Sequence, residues 1–438
     1  MFALARDTRA AGPAVARTRS LIAAAAAAAA LAVLPAAAAY AAGPLFPRAE
    51  QVRPPSDASA TSVNSSLYST ACTGSGTCVA SGSYTDSLGR GQAYIATESH
   101  GHWLRGVKLA LPASAAAQPN TQIDGVACIS TGNCVAVGSF LHDASNADAL
   151  IVTEAHGKWG RGFVPRPPAN ADGTITFMDA VACTSEGFCA AVGGYQDKAG
   201  HFQAMALAKP VGKRWHQALE ITAPKGAAAD PLTTANGIAC TAIGKCVTVG
   251  YYRVPGPGSH IQAFGAVLSG GSWRRAVRIS LPANALTGDR AYLESVSCRS
   301  GKCIAVGGYY FGTNAFRAMW VTESNGHFRA GKEIIKAPAD AAPVADTVLD
   351  GISCPPSGHC VAAGYYFNTA GHQVGMYMTV ASGRWTATTL KPPLNAGTNS
   401  FQRSVVNSVS CTGTERCTIA GWYTDTAGRF RSEASSAR

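Results

Sequence analysis

Short runs of alternating apolar and small polar residues, separated by glycine- and proline-bearing turns, fill the chain from about residue 44 to its C-terminus. Asp124-Gly-Val-Ala-Cys128, Cys134-Val-Ala-Val-Gly-Ser-Phe140 and Asp148-Ala-Leu-Ile-Val-Thr-Glu154 have the β-branched content and period-two character of strands. A fourth run starts near an aromatic residue and stops before a proline, as from Trp159 to Pro165. The turns between them predict an antiparallel meander of four strands, a to d.

The meander recurs. Its register is marked by fourteen cysteines in seven pairs: Cys72 with Cys78, Cys128 with Cys134, Cys183 with Cys189, Cys240 with Cys246, Cys298 with Cys303, Cys354 with Cys360 and Cys411 with Cys417. First cysteines follow one another at 55 to 58 residues, a period of about 56, so the chain reads as a repeat architecture. Four short strands cannot bury two apolar faces alone, whereas units stacked around an axis can. The expected fold is therefore an all-β, seven-bladed β-propeller with four antiparallel strands per blade, spanning residues 42–438 as one domain. Glycine recurs inside strand b (Gly82, Gly138, Gly193, Gly250, Gly307, Gly364, Gly421), which predicts close backbone approach there.

The ends complement each other. Phe46 precedes Cys72 by 26 residues, matching Trp103, Trp159, Trp215, Trp273, Phe328 and Trp385 before their next first cysteine. The last repeat has strands a and b and a polar strand c near residues 431–437, but no strand d. The N-terminal strand is thus expected to complete the last blade and close the ring.

Residues 1–41 differ in kind. Arg6, Arg9, Arg17 and Arg19 precede an alanine-rich apolar run from Leu21 to Leu34, and Ala39-Tyr40-Ala41 has the small-x-small form of a cleavage site. This predicts a secretory signal peptide, no membrane span after cleavage, and a secreted, extracellular protein. An oxidising compartment makes the cysteine pairs disulfides, since a metal site would need two pairs converging. Each would close a small loop, worth roughly 2 kcal/mol in the chain-entropy picture. Removing residues 1–41 takes away four arginines and one aspartate and lowers the net charge from +11 to +8. Those charges are scattered, which with export excludes nucleic acid as the expected partner.

The unit C-x5-C-[V/A/I/T]-x-x-G-x-[Y/F], followed by an alanine-rich strand and G-x-W, is similar to repeats of secreted β-propeller proteins from high-GC Gram-positive bacteria. The resemblance covers about residues 44–438 and implies a fold, not an activity. Sialidase-type propellers carry S-x-D-x-G-x-x-W before their last strand. Glu98-Ser-His-Gly-His-Trp103 and Glu323-Ser-Asn-Gly-His-Phe328 lack that aspartate, which argues against a sialidase.

Positions that recur in every repeat read as scaffold. The aromatic six residues after each second cysteine (Tyr84, Phe140, Tyr195, Tyr252, Tyr309, Tyr366, Tyr423) is expected in the core. Four residues before each first cysteine stand Tyr68, Asp124, Asp179, Asn236, Glu294, Asp350 and Asn407. These could form a ring of oxygens at the channel mouth for a cation or polar ligand, Asp124 and Asp179 among them, or could cap backbone N–H groups in the preceding connection. Departures from the repeat carry more information. Tyr251, Tyr310, Tyr365 and Trp422 stand beside the recurrent aromatic in the last four repeats, where the first three have Ser83, Ser139 and Gly194. They suit either stacking on sugar rings or asymmetric packing.

No G-x-S-x-G, H-E-x-x-H or phosphate-binding glycine loop occurs, and the histidines lack metal-ligand spacing, so neither cofactor nor metal is expected. Glu294 and Asp350 are the candidate carboxylate pair if there is glycoside chemistry. Arg290, Arg317 and Arg403 read as solvated surface rather than an anion site. The expectation is a monomeric, non-catalytic binding module for an extracellular polysaccharide or protein ligand. A glycan hydrolase or lyase and a structural cell-wall protein are the alternatives.

Overall fold

The computed structural model describes residues 44–61, 64–73, 77–256, 260–286, 290–311, 315–334, 337–343, 346–356, 359–381, 383–398, 402–413 and 416–437. The expected signal segment, residues 1–41, lies outside them. Leu45–Arg438 forms one compact unit. It is all-β, with strands and turns and no helix among the described residues.

Every cysteine pair is a disulfide. Cys72 is bonded to Cys78, Cys128 to Cys134, Cys183 to Cys189 and Cys240 to Cys246. Cys298 is bonded to Cys303, Cys354 to Cys360 and Cys411 to Cys417, and in all seven the Cα atoms are 4.0 to 4.1 Å apart. Each staples the turn of an antiparallel hairpin, as between Ser65–Cys72 and Cys78–Thr85 or Ala291–Arg299 and Lys302–Phe311. The second cysteine is buried in every unit, at Cys78, Cys134, Cys189, Cys246, Cys303, Cys360 and Cys417. Six of these residues, all but Cys78, belong to the core clusters, which makes the disulfides part of the scaffold.

A third strand completes each hairpin unit, for example Gly91–Ser99 beside the first. The first strands of consecutive units touch in sequence, and that of the last unit touches that of the first, so they enclose a common centre. Their inner edges are satisfied by serines of the preceding unit: Cys72 N–H donates to Ser410 Oγ and Cys354 N–H to Ser297 Oγ, both at 2.9 Å. Bare strand edges are thereby covered from within.

Two features differ in detail from the expected unit. The strands form six sheets rather than one per disulfide: three have five strands, two have four and one has eight. In the third unit the first strand runs on to 13 residues, Ala171–Cys183. Its start reaches the preceding unit, where Ile175 bridges Ala147 and Thr176 Oγ1 accepts from Ala149 N–H at 2.8 Å. That bridge fuses two units into one sheet. The fourth strand is also not continuous. Around Trp103 and Trp273 it is two pieces of two residues each, whereas Arg384–Thr389 runs unbroken through six residues. The interrupted stretch turns its donors to the neighbouring unit instead: Gly106 N–H bonds Arg53 O, Gly162 bonds Ala110 O and Gly331 bonds Ser280 O. Arginines add to these clamps, with Arg105 Nη1 on Pro54 O and Arg161 Nη1 on Leu111 O.

The N-terminal segment pairs as the register requires. Glu50 and Gln51 lie antiparallel to Ala434 and Glu433 in Phe430–Ser436, and Phe46 is 3% exposed.

The recurrent strand glycine and the recurrent polar residue are one device. In every unit the residue four before the first cysteine is a β-bulge, so the hairpin register skips Tyr68, Asp124, Asp179, Asn236, Glu294, Asp350 and Asn407. The bulge drives a backbone carbonyl into the space a Cβ would fill on the facing strand: Ser66 O against Gly82, Tyr292 O against Gly307, Val348 O against Gly364.

The recurrent aromatic is core, and its hydroxyl explains the connections. Tyr84 donates to Asp57 Oδ1 at 2.7 Å, Tyr366 to Asp340 Oδ1 at 2.7 Å, and Tyr309 and Tyr423 to Asn284 and Asn395 Oδ1 at 3.0 and 2.7 Å. The second unit has Phe140 in this place and Ser114 in the connection, so both halves of the pair are missing together.

Candidate functional site

The bulges aim their side chains at the common centre. Asp179 feels the charges of both Asp124 and Glu294, although Glu294 lies two units further on. Asn236 donates from Nδ2 to Leu293 O at 3.1 Å and to Glu294 Oε2 at 3.2 Å. Asn407 Nδ2 reaches Leu67 O at 2.6 Å. Each amide thus serves the carbonyl just ahead of the next unit's bulge. The expected capping of backbone N–H groups is not what these two asparagines do, since they donate to carbonyls rather than accept.

Carboxyls in the same ring cannot donate while ionised, and burial disfavours their charge. Burial pushes Asp124 up to about 7, against two 3.2 Å hydrogen bonds from Gln122 Nε2 that favour the anion. Asp179 is driven well above the usual carboxylate range by burial and by Asp124 and Glu294. Its Oδ2 has no hydrogen-bond partner. Glu294 and Asp350 occupy the equivalent bulges of the fifth and sixth units. Among the described residues no three His, Cys, Asp or Glu side chains are arranged to hold a metal ion.

Two residues before each bulge, the first strand faces the position singled out in the last four repeats. Tyr251 lies across from Thr234, Tyr365 from Val348 and Trp422 from Val405. Burial pushes the Tyr251 hydroxyl up to about 12, helped by the negative charges of Asp179 and Glu294, which places this tyrosine beside the ring. Tyr310 does not share that register. Gly308 occupies it, opposite Tyr292, and the Phe316 ring fills the space over the glycine. The third unit solves the same problem from the first strand, with the Phe177 ring over Gly194.

Tyr310, Tyr365 and Trp422 join one aromatic cluster with Tyr292, Phe316 and Phe367, around Val348 and Val405. Tyr292 stacks on Phe316 with centroids 4.9 Å apart, and Trp422 meets Phe430 edge-on at 4.9 Å. Tyr365 is 6% exposed and belongs to the packing, whereas Tyr292, Tyr310 and Trp422 keep half-buried faces. Tyr251 stands outside this cluster, nearer the carboxyls. Sequence reasoning missed Phe177, Tyr292 and Phe316. A glycine at the place of an expected aromatic is the signal, because it marks a ring arriving from the neighbouring strand.

The arrangement is a half-ring of aromatics from the third to the seventh unit, bordering a centre lined by four carboxyls and two amides. Ser83 and Ser139 hold this position in the first two units, and the Tyr68 hydroxyl is hydrogen-bonded to Ser83 Oγ at 3.0 Å. At the opposite end, among the disulfide turns, lies a polar depression of about 450 Å³ lined by Thr73, Ser130, Thr131 and Ser185. Arg317 is held by Glu333 and covers the Phe311 ring at 4.4 Å, away from the carboxyl ring, and Arg290 and Arg403 are exposed.

No family model matches the chain, and no curated protein matches it in sequence. Solved structures similar in form include a protein of unknown function from Dyadobacter fermentans, at 12% identity, TM-score 0.47, covering 90% of this chain and 100% of that one. A polysaccharide lyase, an ulvan lyase, shares 11% identity with a TM-score of 0.49, over 88% of this chain and 94% of its own. The β-propeller domain of the Trilobed protease from Pyrococcus furiosus shares 7% identity with a TM-score of 0.43, over 85% and 95%.

Proposed function

We propose that residues 42–438 are a secreted, monomeric, seven-bladed β-propeller that binds an extracellular polysaccharide without turning it over. The closed cycle of first strands and the N-terminal strand paired into the last sheet support the ring. The observation that carries the binding reading is the set of half-buried aromatic faces beside carboxyls and amides at one end of the centre. Aromatic faces take the C–H faces of sugars, and convergent polar groups take hydroxyls. Glycan-array binding by the wild-type protein should fall at least about tenfold in Trp422→Ala and Tyr292→Ala, the scale of one lost aromatic contact. Unchanged binding in both variants, with the disulfides intact, removes the reading.

One observation favours an enzyme instead. Asp124 is held near 7 while other carboxyls share its ring, and a carboxyl that keeps its proton near neutral pH can serve as a general acid. Turnover of any glycoside, lost in Asp124→Asn or Glu294→Gln with folding intact, would establish it.

A further inference from the structure

A groove of about 500 Å³ lies on the outside of the ring between the first and second units. Its walls carry Arg90, Lys108 and Arg161, and its floor is apolar, with Leu109, Leu111 and Pro119. The groove sits where the repeat is broken. The connection entering the second unit is Pro112-Ala-Ser-Ala-Ala-Ala-Gln-Pro119, and it lacks the aspartate or asparagine that meets Tyr84, Tyr195, Tyr309, Tyr366 and Tyr423 in their units. Small side chains at Ala116 and Ala117 leave the space open.

The charges around it are unequal. Arg90 Nε bonds Asp86 Oδ2 at 2.8 Å, and Lys108 Nζ lies 3.1 Å from Asp57 Oδ2 and 3.7 Å from Asp86 Oδ2. Asp86 is 1% exposed beneath them, engaged by two backbone N–H groups and by Gln92. Arg161 spends one nitrogen on a neutral carbonyl, Leu111 O, and is exposed. Three cations therefore stand over two anions, one of them buried, so the open face of the groove presents positive charge. Guanidinium groups held this way still have donors directed outward, suited to planar carboxylates.

We infer that this groove is a second ligand site, and that it takes an acidic polysaccharide whose sugar rings lie on the apolar floor with carboxylates against Arg90, Lys108 and Arg161. The inference rests on the groove alone and stands or falls apart from the aromatic half-ring. The complementary charge selects this occupant. A neutral chain would leave the cations unused, and a purely ionic ligand would leave the half-buried Leu111 uncovered.

The test is calorimetric titration of the full chain with trigalacturonate, with cellotriose as the neutral comparison. Binding of trigalacturonate alone, weakened by salt and reduced roughly tenfold or more in the Lys108→Ala/Arg161→Ala double variant, is expected. Arg275 clamps Ala223 O as Arg161 clamps Leu111 O but is not part of this groove, so Arg275→Ala should bind as wild type. Loss in Arg275→Ala equal to that in the double variant would make the effect one of ring stability and overturn the site. Absent binding, binding insensitive to the double variant, or loss only in Trp422→Ala would overturn it equally.

Discussion

Asn284 donates from Nδ2 to Glu333 Oε2 at 2.7 Å while its Oδ1 accepts from Tyr309. In the seventh unit Asn395 does the same with Gln51 Oε1, at 3.1 Å. Where the connection carries an acid, the outer partner is a donor: Asp57 faces Lys108. The repeats thus exchange donor and acceptor as a pair. Asn284→Asp sets a carboxylate against Glu333 and should lower stability at pH 7 by about 1 kcal/mol, the range for an exposed like-charge contact. Thermal unfolding should show the loss at pH 7 and little of it in the Asn284→Asp/Glu333→Gln double variant. Equal losses in single and double variants would detach the effect from this pair.

Asp179 occupies the bulge that Asn236 and Asn407 fill elsewhere, but without an amide donor and with Oδ2 unpartnered. Asp179→Asn should therefore stabilise the ring at neutral pH, by about 1–3 kcal/mol for a relieved buried polar group. The sign follows from proton uptake. A carboxyl whose folded pKa is raised binds a proton on folding, so stability falls as pH rises from the unfolded value toward the folded one. For Asp124 that window runs from about 4 to about 7. Differential scanning calorimetry between pH 4 and 8 should find a flatter profile in either asparagine variant. If the centre binds a ligand through these carboxyls, the same substitutions weaken binding as they stabilise the fold.

Gly364→Ala tests the bulge directly, since the new Cβ would meet Val348 O and the backbone has nowhere to go. Overpacking of this kind costs about 1–3 kcal/mol or more. Gly371→Ala is a poor control, because its φ of 78° adds strain of a different origin. Gly413→Ala, with no atom within reach of its Cβ, should change little. A denaturation midpoint equally unchanged by Gly364→Ala would contradict the close approach.

Disulfide pairing, register and the N-terminal strand were legible because each is a spacing, and spacing survives in one dimension. The link between Gly307 and Glu294 was not. A glycine in one strand and a polar residue in another look independent until the bulge carbonyl of Tyr292 joins them. The aromatic half-ring was half legible for a related reason. Tyr251 and Trp422 stand in the aligned column, whereas Phe316 and Phe177 reach the same place from adjacent strands, across glycines. Of the two readings open for Tyr365, stacking on sugars or asymmetric packing, it takes the second, and a column of aromatics does not reveal which neighbour covers each ring. The fusion of the second and third units depends on where a long first strand bends, which no residue pattern marks.

Glu433 breaks its column in a different way. The position facing the strand glycine is Tyr94, Leu150, Met205, Phe264, Met319 and Met376 in the other units, all buried. Glu433 is 1% exposed with neither carboxyl oxygen hydrogen-bonded, and burial pushes it up to about 8. It therefore folds protonated, and its cost grows as pH rises from about 4.5 to about 8 and then levels. Glu433→Met should raise stability at pH 8 by up to about 4 kcal/mol, at about 1.4 kcal/mol per pKa unit. The gain should shrink toward pH 4.5. A gain independent of pH would assign the effect to packing alone.

The last strand pairing holds the ring with no covalent help, and that makes closure separable from the hairpins. Phe46 packs edge-on against Tyr377 with centroids 4.8 Å apart, Val52 N–H bonds Ser432 O at 3.0 Å, and Ala49 N–H bonds Lys391 O at 2.9 Å. Phe46→Ala empties a buried site and should cost about 3–5 kcal/mol. Deleting the residues through Val52 goes further, because it leaves Phe430–Ser436 as an unpaired edge, and such edges pair with other chains. Size-exclusion chromatography of the deletion variant should show dimers or larger species. A synthetic peptide of residues 44–55 added in trans should reverse that association and restore the unfolding temperature. The disulfide hairpins would persist throughout, since none of the seven bridges lies in the deleted segment. A deletion variant that stays monomeric with the wild-type unfolding temperature would show that the ring closes without its N-terminal strand.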